Sequence, residues 1–320
     1  MKSLKYFSNM KKIGISLMIP ILLSSCDMLH EDIDDCQNGL KFHYDYNMLS
    51  ADAFHSQVDK VEVFFFDKDG LFITSQEESG DILKSPTYRM DIPYSLNGYT
   101  AITWAGHHES YTIPKLTPNV STKSDLLLKM KRNGNQLRNE VLEPLWHGKE
   151  ITLSGGLQDV GLVRNTNNVR IILKNVSEEK TPVPADNFEI KITADNSCYN
   201  FDNSLLPDGT ITYSPFHLSG DSQEGVVAEI NTMRFMDNKD VRLSIYNKSN
   251  GTYLFGGAES INLIYYLLKT KKEAYASMPS QEFLDRQYDW DLTFFYTSDT
   301  FVALKVVING WTFWMDSADI

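Results

Sequence analysis

The stretch that decides the fold is residues 61–73, Val-Glu-Val-Phe-Phe-Phe-Asp-Lys-Asp-Gly-Leu-Phe-Ile. Its first six residues are β-branched or aromatic apart from Glu62, and three apolar residues follow the polar Asp-Lys-Asp-Gly. Such composition favours extended strands, and the polar tetrapeptide is typical of a turn between two of them. Gly70 is expected at the turn position with positive φ, which glycine adopts at little steric cost. We therefore predict a β-hairpin over these residues.

Extended segments also occur on both sides of this hairpin. Between residues 40 and 46, Leu40, Phe42, Tyr44 and Tyr46 alternate with polar residues, the period of a half-buried strand. Further strands are predicted at residues 98–105, 126–130, 150–153, 162–163, 169–173, 188–192, 210–213, 226–230, 241–246, 292–296 and 301–308. Turn residues separate them and no strand–helix–strand repeat occurs, so the sequence predicts an all-β fold of sandwich type.

Helical periodicity is confined to the second half of the chain. Residues 258–272 place Ile261, Ile264, Tyr265 and Leu268 on one face, with three lysines in the last turn, which predicts a helix. A short helical turn is expected over residues 280–286. The second half should therefore contain one or two short helices.

The length of the chain is suited to two β-domains of ordinary size. The polar run Asn165-Thr166-Asn167-Asn168 lies between predicted strands, and we place the domain boundary there. The expected organisation is a signal segment over residues 1–25, an acidic tether over 26–37, and domains over 38–165 and 166–320.

The N-terminal segment has the layout of a secretory signal. Four lysines precede an apolar run over residues 13–23, which is too short to span a bilayer, since spanning takes about 20 apolar residues. The run ends in Leu23-Ser24-Ser25-Cys26, the pattern that lipoprotein signal peptidase recognises. We predict that Cys26 carries acyl chains, and two or more such chains hold a protein on a membrane almost permanently. The alternative is an ordinary signal peptide with an incidental cysteine.

Charge restricts the partners of the mature chain. Residues 27–35 hold five acidic residues and no lysine or arginine, which predicts a solvated, flexible tether. This stretch also resembles the export tag with which some Gram-negative anaerobes move lipoproteins to the outer face. The whole chain has a net charge of −12, and loss of the four lysines in the signal segment takes the mature chain to −16. Such a surface repels nucleic acid, so we expect no DNA or RNA binding.

No catalytic or metal-binding constellation is recognisable. The turn at residues 67–70 lacks the third acidic position and the closing glutamate of a calcium loop. His107 and His108 are adjacent, so on a strand they point to opposite faces, and no third ligand accompanies them at a sensible spacing. We therefore expect no enzymatic activity, no metal and no cofactor.

The cysteines and tryptophans have structural interpretations. With Cys26 acylated, Cys36 and Cys198 allow one disulfide or none, and we favour none because Cys36 lies in the tether. Cys198 has no visible catalytic partner and is expected to be a small buried thiol. Most of the five tryptophans lie in strand-like runs, where core packing is the common use.

A series of short motifs, taken in order, resembles the anchor lipoproteins of type V fimbriae. After the lipidation motif and the acidic tether, the series comprises residues 40–44, 61–67, Gly70, 98–106, 145–148, 162–173, 211–215, 233–236 and 308–311, and it covers nearly the whole mature chain. The resemblance implies two tandem transthyretin-like β-sandwich domains without enzymatic activity. It also implies attachment to the outer membrane through acyl chains and a fimbrial stalk subunit as partner, so that the protein seats the fimbrium and limits its length.

The same resemblance suggests how an anchor differs from a stalk subunit. Stalk subunits of the family lose an N-terminal strand to an arginine-specific protease, which opens a groove that a neighbour's terminal strand fills. This sequence has no arginine before Arg89, which lies well inside the first domain. A subunit that keeps its lipid is expected to lack such an early cleavage site.

The candidate inter-subunit strand lies near the C-terminal end of the chain. Its residues are Val302, Leu304, Val306, Ile308, Trp311, Phe313 and Trp314. One interpretation is a final strand that completes its own sandwich, and the other is a strand that swings out to complete the first stalk subunit.

Two alternative functions of the whole protein stay open. It could be a surface glycan-binding lipoprotein, or a stalk or tip fimbrillin of the same family.

Overall fold

The computed structural model describes residues 38–132, 137–177, 184–221, 225–298 and 300–315. Cys26, the acidic tether and Cys36 therefore lie outside the described residues. Within these ranges β-strands dominate and three short α-helices occur. The all-β prediction is confirmed.

The described residues before Asn165 form ten strands. These are β1 (Gly39–His43), β2 (Lys60–Phe66), β3 (Phe72–Ser79), β4 (Met90–Asp91), β5 (Thr100–Ala105), β6 (Tyr111–Thr112), β7 (Leu128–Met130), β8 (Leu137–Arg138), β9 (Trp146–Thr152) and β10 (Leu157–Arg164). One short helix, α1 (Phe54–Gln57), lies between β1 and β2 and was not predicted. Three 3₁₀ turns complete this half, at Asp81–Lys84, Tyr94–Leu96 and Lys123–Asp125.

The described residues after Asn165 form twelve strands. These are β11 (Thr166–Asn175), β12 (Phe188–Ala194), β13 (Cys198–Tyr199), β14 (Ile211–Tyr213), β15 (His217–Asp221), β16 (Gly225–Met233), β17 (Arg242–Asn247), β18 (Thr252–Tyr253), β19 (Ile261–Asn262), β20 (Asp289–Tyr296), β21 (Ala303–Ile308) and β22 (Trp311–Trp314). The helices are α2 (Leu263–Lys269) and α3 (Ser280–Arg286), with 3₁₀ turns at Ala185–Asn187 and Glu273–Tyr275.

Four sheets arise from these strands. A seven-stranded sheet, in the spatial order β3-β2-β5-β9-β10-β1-β4, comes entirely from the first half. A six-stranded sheet, β15-β16-β11-β20-β21-β22, comes entirely from the second half. The other two sheets, β18-β17-β12-β14-β8 with β19 beside β17, and β13-β7-β6, combine both halves. The pairs β7–β13 and β8–β14 thus join the halves through backbone hydrogen bonds.

The predicted hairpin at residues 61–73 is confirmed as β2 and β3. The two strands pair antiparallel and Gly70 has φ +79°. Both faces of β2 are covered: one face contributes to a core within the first half, and the other to a core shared with the second half. The side chains on the first face are Val61, Val63 and Phe65, and those on the second are Phe64 and Phe66. Burial on both sides explains why the apolar run is continuous instead of alternating.

The polar run at the proposed boundary differs from our expectation. We expected Asn165-Thr166-Asn167-Asn168 to connect two strands, but only Asn165 does so, and β11 begins at Thr166. Asn165 is fully buried and its side chain exchanges two hydrogen bonds with that of Asn203, at 2.5 and 3.1 Å. Partners that are distant in sequence therefore allow these polar groups to enter the interior. The division into domains at residue 165 stays a prediction.

The two predicted helices have different outcomes. Helix α3 forms over the expected residues, Ser280–Arg286. Helix α2 is shorter than residues 258–272, because Ile261–Asn262 instead pairs with β17, and the Asn262 side chain caps the helix by accepting from the Tyr265 amide at 3.0 Å. The predicted apolar face is wrong at Tyr265, which is 47% exposed, whereas Ile261 and Ile264 are buried as expected and Leu268 packs against the core. The helix also buries Leu263, Tyr266 and Leu267.

Helix α3 and the residues directly after it form hydrogen-bond and cation–π contacts between the two halves of the chain. Arg286 donates to the Asn47 carbonyl at 3.2 Å and lies over the Tyr46 ring at 4.3 Å. Arg164, at the end of β10, stacks on the Tyr288 ring at 3.9 Å. The start of β20 therefore lies beside the junction between the halves.

The strand directions give the molecule two ends. Strand β1 runs parallel to β10, which leads through Asn165 into the second half, so the chain enters the seven-stranded sheet at the end opposite to the junction. Strands β11 and β20 start together near the junction and run parallel away from it, to Asn175 and Tyr296. Strand β21 returns and β22 runs outward again, so Trp314 lies at the end of its sheet remote from the junction.

Candidate functional site

The candidate inter-subunit segment forms a β-hairpin at the edge of the six-stranded sheet. Strand β21 pairs with β20 and β22, whereas β22 pairs, within the described part of the chain, only with β21. Ile308 faces Trp311 across a two-residue turn in which Asn309 and Gly310 have φ values of +46° and +85°. Asn-Gly with two positive φ values is the pattern of a type I′ hairpin. Strand β22 is therefore an edge strand, with one row of backbone groups outside the ladder.

The inner face of this hairpin belongs to the core of the second half. Val306 and Ile308 are fully buried and Phe313 is 9% exposed. Trp311 is partly buried and packs against the same core. Val302 precedes β21 and is also partly buried. Of the seven candidate residues, these five face or flank the protein's own interior.

The outer face exposes the other two candidates, Leu304 at 42% and Trp314 at 68%. The predicted alternation from Val302 to Ile308 fails at Leu304, because Ala303 is buried instead. A bulge is the reason: Phe295 pairs with Lys305 and Tyr296 with Ala303, which leaves Leu304 as the extra residue. The large aromatic surface of Trp314 is thus available on an open sheet edge.

Two lysines lie against the aromatic rings of β22, one from each side. The Lys305 ammonium is 4.4 Å from the Phe295 ring centre and 5.7 Å from that of Trp314. Lys272 Nζ is 5.0 Å from the Phe313 ring centre and 5.7 Å from that of Trp311. Such cation–π contacts contribute about 0.5–1 kcal/mol at exposed sites. Neither cation–π contact was predicted from the sequence. The contact of Lys305 could have been, because counting residues outward from the Asn309-Gly310 turn places Lys305 opposite Trp314 on the paired strand.

Strand β1, the described strand nearest to Cys26, lies inside its sheet between β10 and β4. Leu40, Phe42 and Tyr44 are buried to 1% exposure or less. Phe42 stacks on Phe54 at 5.7 Å, and Tyr44 meets the edge of Trp146 at 5.9 Å. Burial raises the pKa of the Tyr44 hydroxyl, so the group is neutral. Strand β1 is therefore a full member of the first core.

Arg89 lies beyond β1, directly before β4. Its Nε donates to Asp91 Oδ1 at 3.2 Å, and its side chain is 35% exposed. The chain between Cys26 and the end of β1 contains no arginine.

The remaining candidates show no catalytic or metal arrangement. His107 Nδ1 lies 3.2 Å from Glu62 Oε2, and His108 Nε2 lies 2.8 Å from Asp59 Oδ1, so each histidine has its own carboxylate partner. No group of three or more His, Cys, Asp or Glu side chains that could hold a metal occurs in the part of the chain that the structure describes. Cys198 is a buried free thiol, and burial raises its pKa.

Core packing accounts for three of the tryptophans, Trp104, Trp146 and Trp290, which are each exposed to 2% or less.

Across residues 38–132 and the later described ranges, none of the helices has the length and apolar character needed to cross a bilayer.

A shallow groove of about 700 Å³ lies on the sheet face formed by β16, β11 and β20. Polar side chains cross it in two rows. In the first, Asn231 Nδ2 donates to Asn168 Oδ1 at 2.8 Å, and Asn168 Nδ2 donates to Asp289 Oδ1 at 2.6 Å. In the second, Arg170 pairs with Asp291 at 3.2 Å. Sequence reasoning missed this groove, since its rows depend on the register of three distant strands.

Comparison with known families gives a match over most of the chain. The sequence model for fimbrillin-A associated anchor proteins Mfa1 and Mfa2 matches residues 33–316. The minor fimbrium anchoring subunit Mfa2 of Porphyromonas gingivalis is 24% identical over 300 residues, which is 90% of this chain and 90% of that protein.

Solved structures give the same result for the fold. A Bacteroides thetaiotaomicron structure, described as that of polysaccharide binding proteins (DUF1812), is 34% identical with a TM-score of 0.78, over 89% of this chain and 99% of that one. The fimbrial anchor protein Mfa2 from Porphyromonas gingivalis has a TM-score of 0.68 at 21% identity, over 88% of this chain and 100% of that one. At that identity the second likeness concerns the fold alone.

Proposed function

This chain belongs to the family of fimbrillin-A associated anchor proteins, and we propose that it is a non-enzymatic anchor subunit held on the outer membrane by acyl chains on Cys26. Family membership associates it with fimbriae and with the cell surface, and the family is one of structural proteins. In this proposal the subunit seats the fimbrium and limits its length through strand-donation contacts with the first stalk subunit.

The observation that carries the proposal is the position of β1. The strand lies between two neighbours, and its buried side chains Leu40 and Phe42, with Tyr44 directly after it, complete the first core. Cleavage after β1 would release the acylated cysteine and also remove these side chains. The absence of arginine from this stretch protects both the lipid and the core.

Retention of β1 also explains why such a subunit ends a polymer. A groove that is already filled by the chain's own strand cannot accept a strand from another subunit by β-augmentation. The protein then has one joint instead of two. A subunit with a single joint occupies an end of the fibre, which supports a role in limiting length.

The strand directions favour a joint at β22. The chain enters the fold from the lipidated tether at one end, and Trp314 lies at the far end of the C-terminal sheet. Strand β22 is bonded to one neighbour, so its release breaks a single ladder. An exposed tryptophan on an open edge is also the kind of residue that dominates binding energies.

Replacing Cys26 with alanine tests the anchoring. The Cys26→Ala protein should no longer be labelled by palmitate and should no longer sediment with membranes, and cells should shed their fimbriae. A Cys198→Ala variant, which removes a buried thiol of the second half, should keep labelling and fimbriae. Palmitate labelling that persists in the Cys26→Ala protein would contradict the lipoprotein assignment and the anchoring mechanism with it.

Deleting residues 311–320 tests the joint. If β22 donates to the stalk, the truncated protein should still unfold in one cooperative transition, at a lower temperature because Phe313 is missing from the core, and it should keep its membrane attachment but retain no fimbriae. If β22 only completes its own sandwich, the transition should collapse. A well-folded truncated protein that still holds fimbriae would exclude this segment as the joint.

The polar groove on β16, β11 and β20 supports a second candidate function, glycan binding. The related Bacteroides thetaiotaomicron structure at 34% identity is described as polysaccharide binding. Paired amides, carboxylates and an arginine on a shallow face suit sugar hydroxyls. Arg170→Ala should then abolish binding on a glycan array, whereas Arg242→Ala, outside the groove, should not. An array without any bound glycan would eliminate this candidate.

A further inference from the structure

The end of the first sheet at which the chain enters has a surface that the anchoring proposal does not use. Ile92 N donates to the Asn38 carbonyl, and Asn38 Nδ2 donates to the Ile92 carbonyl, both at 2.8 Å. On the other side, Gly39 N donates to the Gly156 carbonyl at 3.0 Å. Residues 92–99 and 151–158 therefore flank the point where the tether joins the fold. We call these two segments the entry surface.

The entry surface contains no charged residue. Residues 92–99 are Ile-Pro-Tyr-Ser-Leu-Asn-Gly-Tyr and residues 151–158 are Ile-Thr-Leu-Ser-Gly-Gly-Leu-Gln, in a chain whose net charge is −12. Asp91 and Asp159 resume the charged surface beyond the two segments. The two segments carry no charge of their own, so they add no repulsion when they approach an anionic membrane. Charged residues at the same end of the sheet, Asp67, Lys68, Asp69 and Glu150, lie around them.

Apolar side chains project from the entry surface on a well-packed support. Tyr94 is 60% exposed and Leu157 is 43% exposed. Beneath them, Leu96 is buried, and Gly98 N donates to the Leu153 carbonyl at 2.7 Å, which ties the two segments together. A tyrosine ring, apolar at its body and polar at its tip, suits the boundary between lipid and water.

The tether keeps this surface close to lipid. Residues 26–37 reach at most about 40 Å when fully extended, and a flexible chain of this length spans about 20 Å on average. A surface confined to that distance meets headgroups at a high effective concentration, so a weak contact is sufficient.

From this combination we infer that the entry surface rests on the lipid headgroup layer, with Tyr94 and Leu157 at the interface, an inference that rests on the proposed acylation of Cys26. The contact orients the molecule so that β22 points away from the membrane. The occupant of the surface is the membrane to which the same chain is tethered.

Hydrogen exchange on the acylated protein, bound to vesicles of phosphatidylethanolamine and phosphatidylglycerol, tests this inference. Backbone amides of residues 92–99 and 151–158 should exchange several-fold more slowly in the natural protein than in a Tyr94→Ser, Leu157→Ser double variant on the same vesicles. Leu218→Ser, at a 37% exposed site on the edge strand β15, is the matched control and should keep the protection. All three proteins should sediment with the vesicles and melt at the same temperature.

Equal exchange in the natural protein and the double variant, with both still sedimenting, would overturn the contact and leave the acyl anchor standing. A natural protein that does not sediment with the vesicles would overturn both ideas. Protection that rises with protein concentration at fixed lipid would show that a second copy covers the surface, and would also overturn the membrane contact.

Discussion

Strands β1 and β22, the first and last of the described chain, are held in opposite ways. Strand β1 is bonded on both sides, and Leu40 and Phe42 are buried to 1% exposure or less. Strand β22 is bonded on one side, and Trp314 is 68% exposed. The same chain thus has one terminal strand that is enclosed by neighbours on both sides and another whose release breaks one ladder and uncovers Phe313 and Trp311. The first suits permanent attachment and the second suits exchange with a partner.

The largest expected difference between the two strands is in core stability. Phe42→Ala should lower the free energy of unfolding by about 3–5 kcal/mol, because it leaves a cavity beside Phe54 and Tyr88. Phe313→Ala should cost less, since the edge of a sheet can relax around the missing ring. Urea unfolding followed by tryptophan fluorescence measures both. Equal costs would mean that β22 is as firmly built in as β1.

Acid should weaken the face on which the two halves meet. His147 lies there, with its ring 4.7 Å from that of Trp104 and Nε2 2.8 Å from the Phe201 carbonyl. Burial lowers the pKa of His147 from 6.5 to about 4, although the hydrogen bond to Phe201 acts in the opposite direction. Because the folded pKa is below the unfolded one, the unfolded chain binds the proton more readily. Stability should be complete above about pH 6.5 and should fall by up to about 3 kcal/mol as the pH approaches 4.

A His147→Gln variant is the control for this effect. Its amide can still donate to the Phe201 carbonyl but cannot take up a proton. The difference between the two proteins in urea unfolding should therefore change between pH 7 and pH 4. A difference that stays constant over this range would show that His147 does not titrate with folding.

Local chemistry explains which parts of the fold are predictable from the sequence. The hairpin at residues 61–73 and helix α3 follow from turn residues and short-range periodicity, and both form as expected. The membership of the anchor family also follows from the order of short motifs.

Non-local contacts explain what the sequence does not reveal. The pairing of Leu128 with Tyr199 joins segments that no local pattern connects. The buried Asn165 is polar in sequence but finds its partner in Asn203. Leu304 faces outward because of one extra residue in β21, and a bulge leaves no trace in an alternating pattern. The sequence therefore predicted the strand of the candidate joint and the burial of Val306 and Ile308, but not the outward position of Leu304.

The turn of the C-terminal hairpin should have a smaller effect than either core. Gly310 has φ +85°, so Gly310→Ala should cost about 1 kcal/mol through backbone strain. Asn309→Gly, at φ +46°, is the control and should change stability by only a few tenths of a kcal/mol. Urea unfolding of both variants makes the comparison. A cost at Gly310 below that at Asn309 would argue against the type I′ turn.

Replacing Trp314 with alanine should have the smallest effect on stability but a large effect on the retention of fimbriae. Its side chain is mostly exposed and its described ring contact is with Lys305, so Trp314→Ala should change the free energy of unfolding by no more than about 0.5 kcal/mol. If β22 engages the stalk through its exposed face, loss of the Trp314 side chain should cost about 2 kcal/mol or more in binding, and cells should retain far fewer fimbriae. Leu218→Ala, on the opposite edge of the same sheet, should retain them. Fimbriae counted by electron microscopy in both variants decide the matter: normal numbers on Trp314→Ala cells would show that the exposed face of β22 takes no part in the joint.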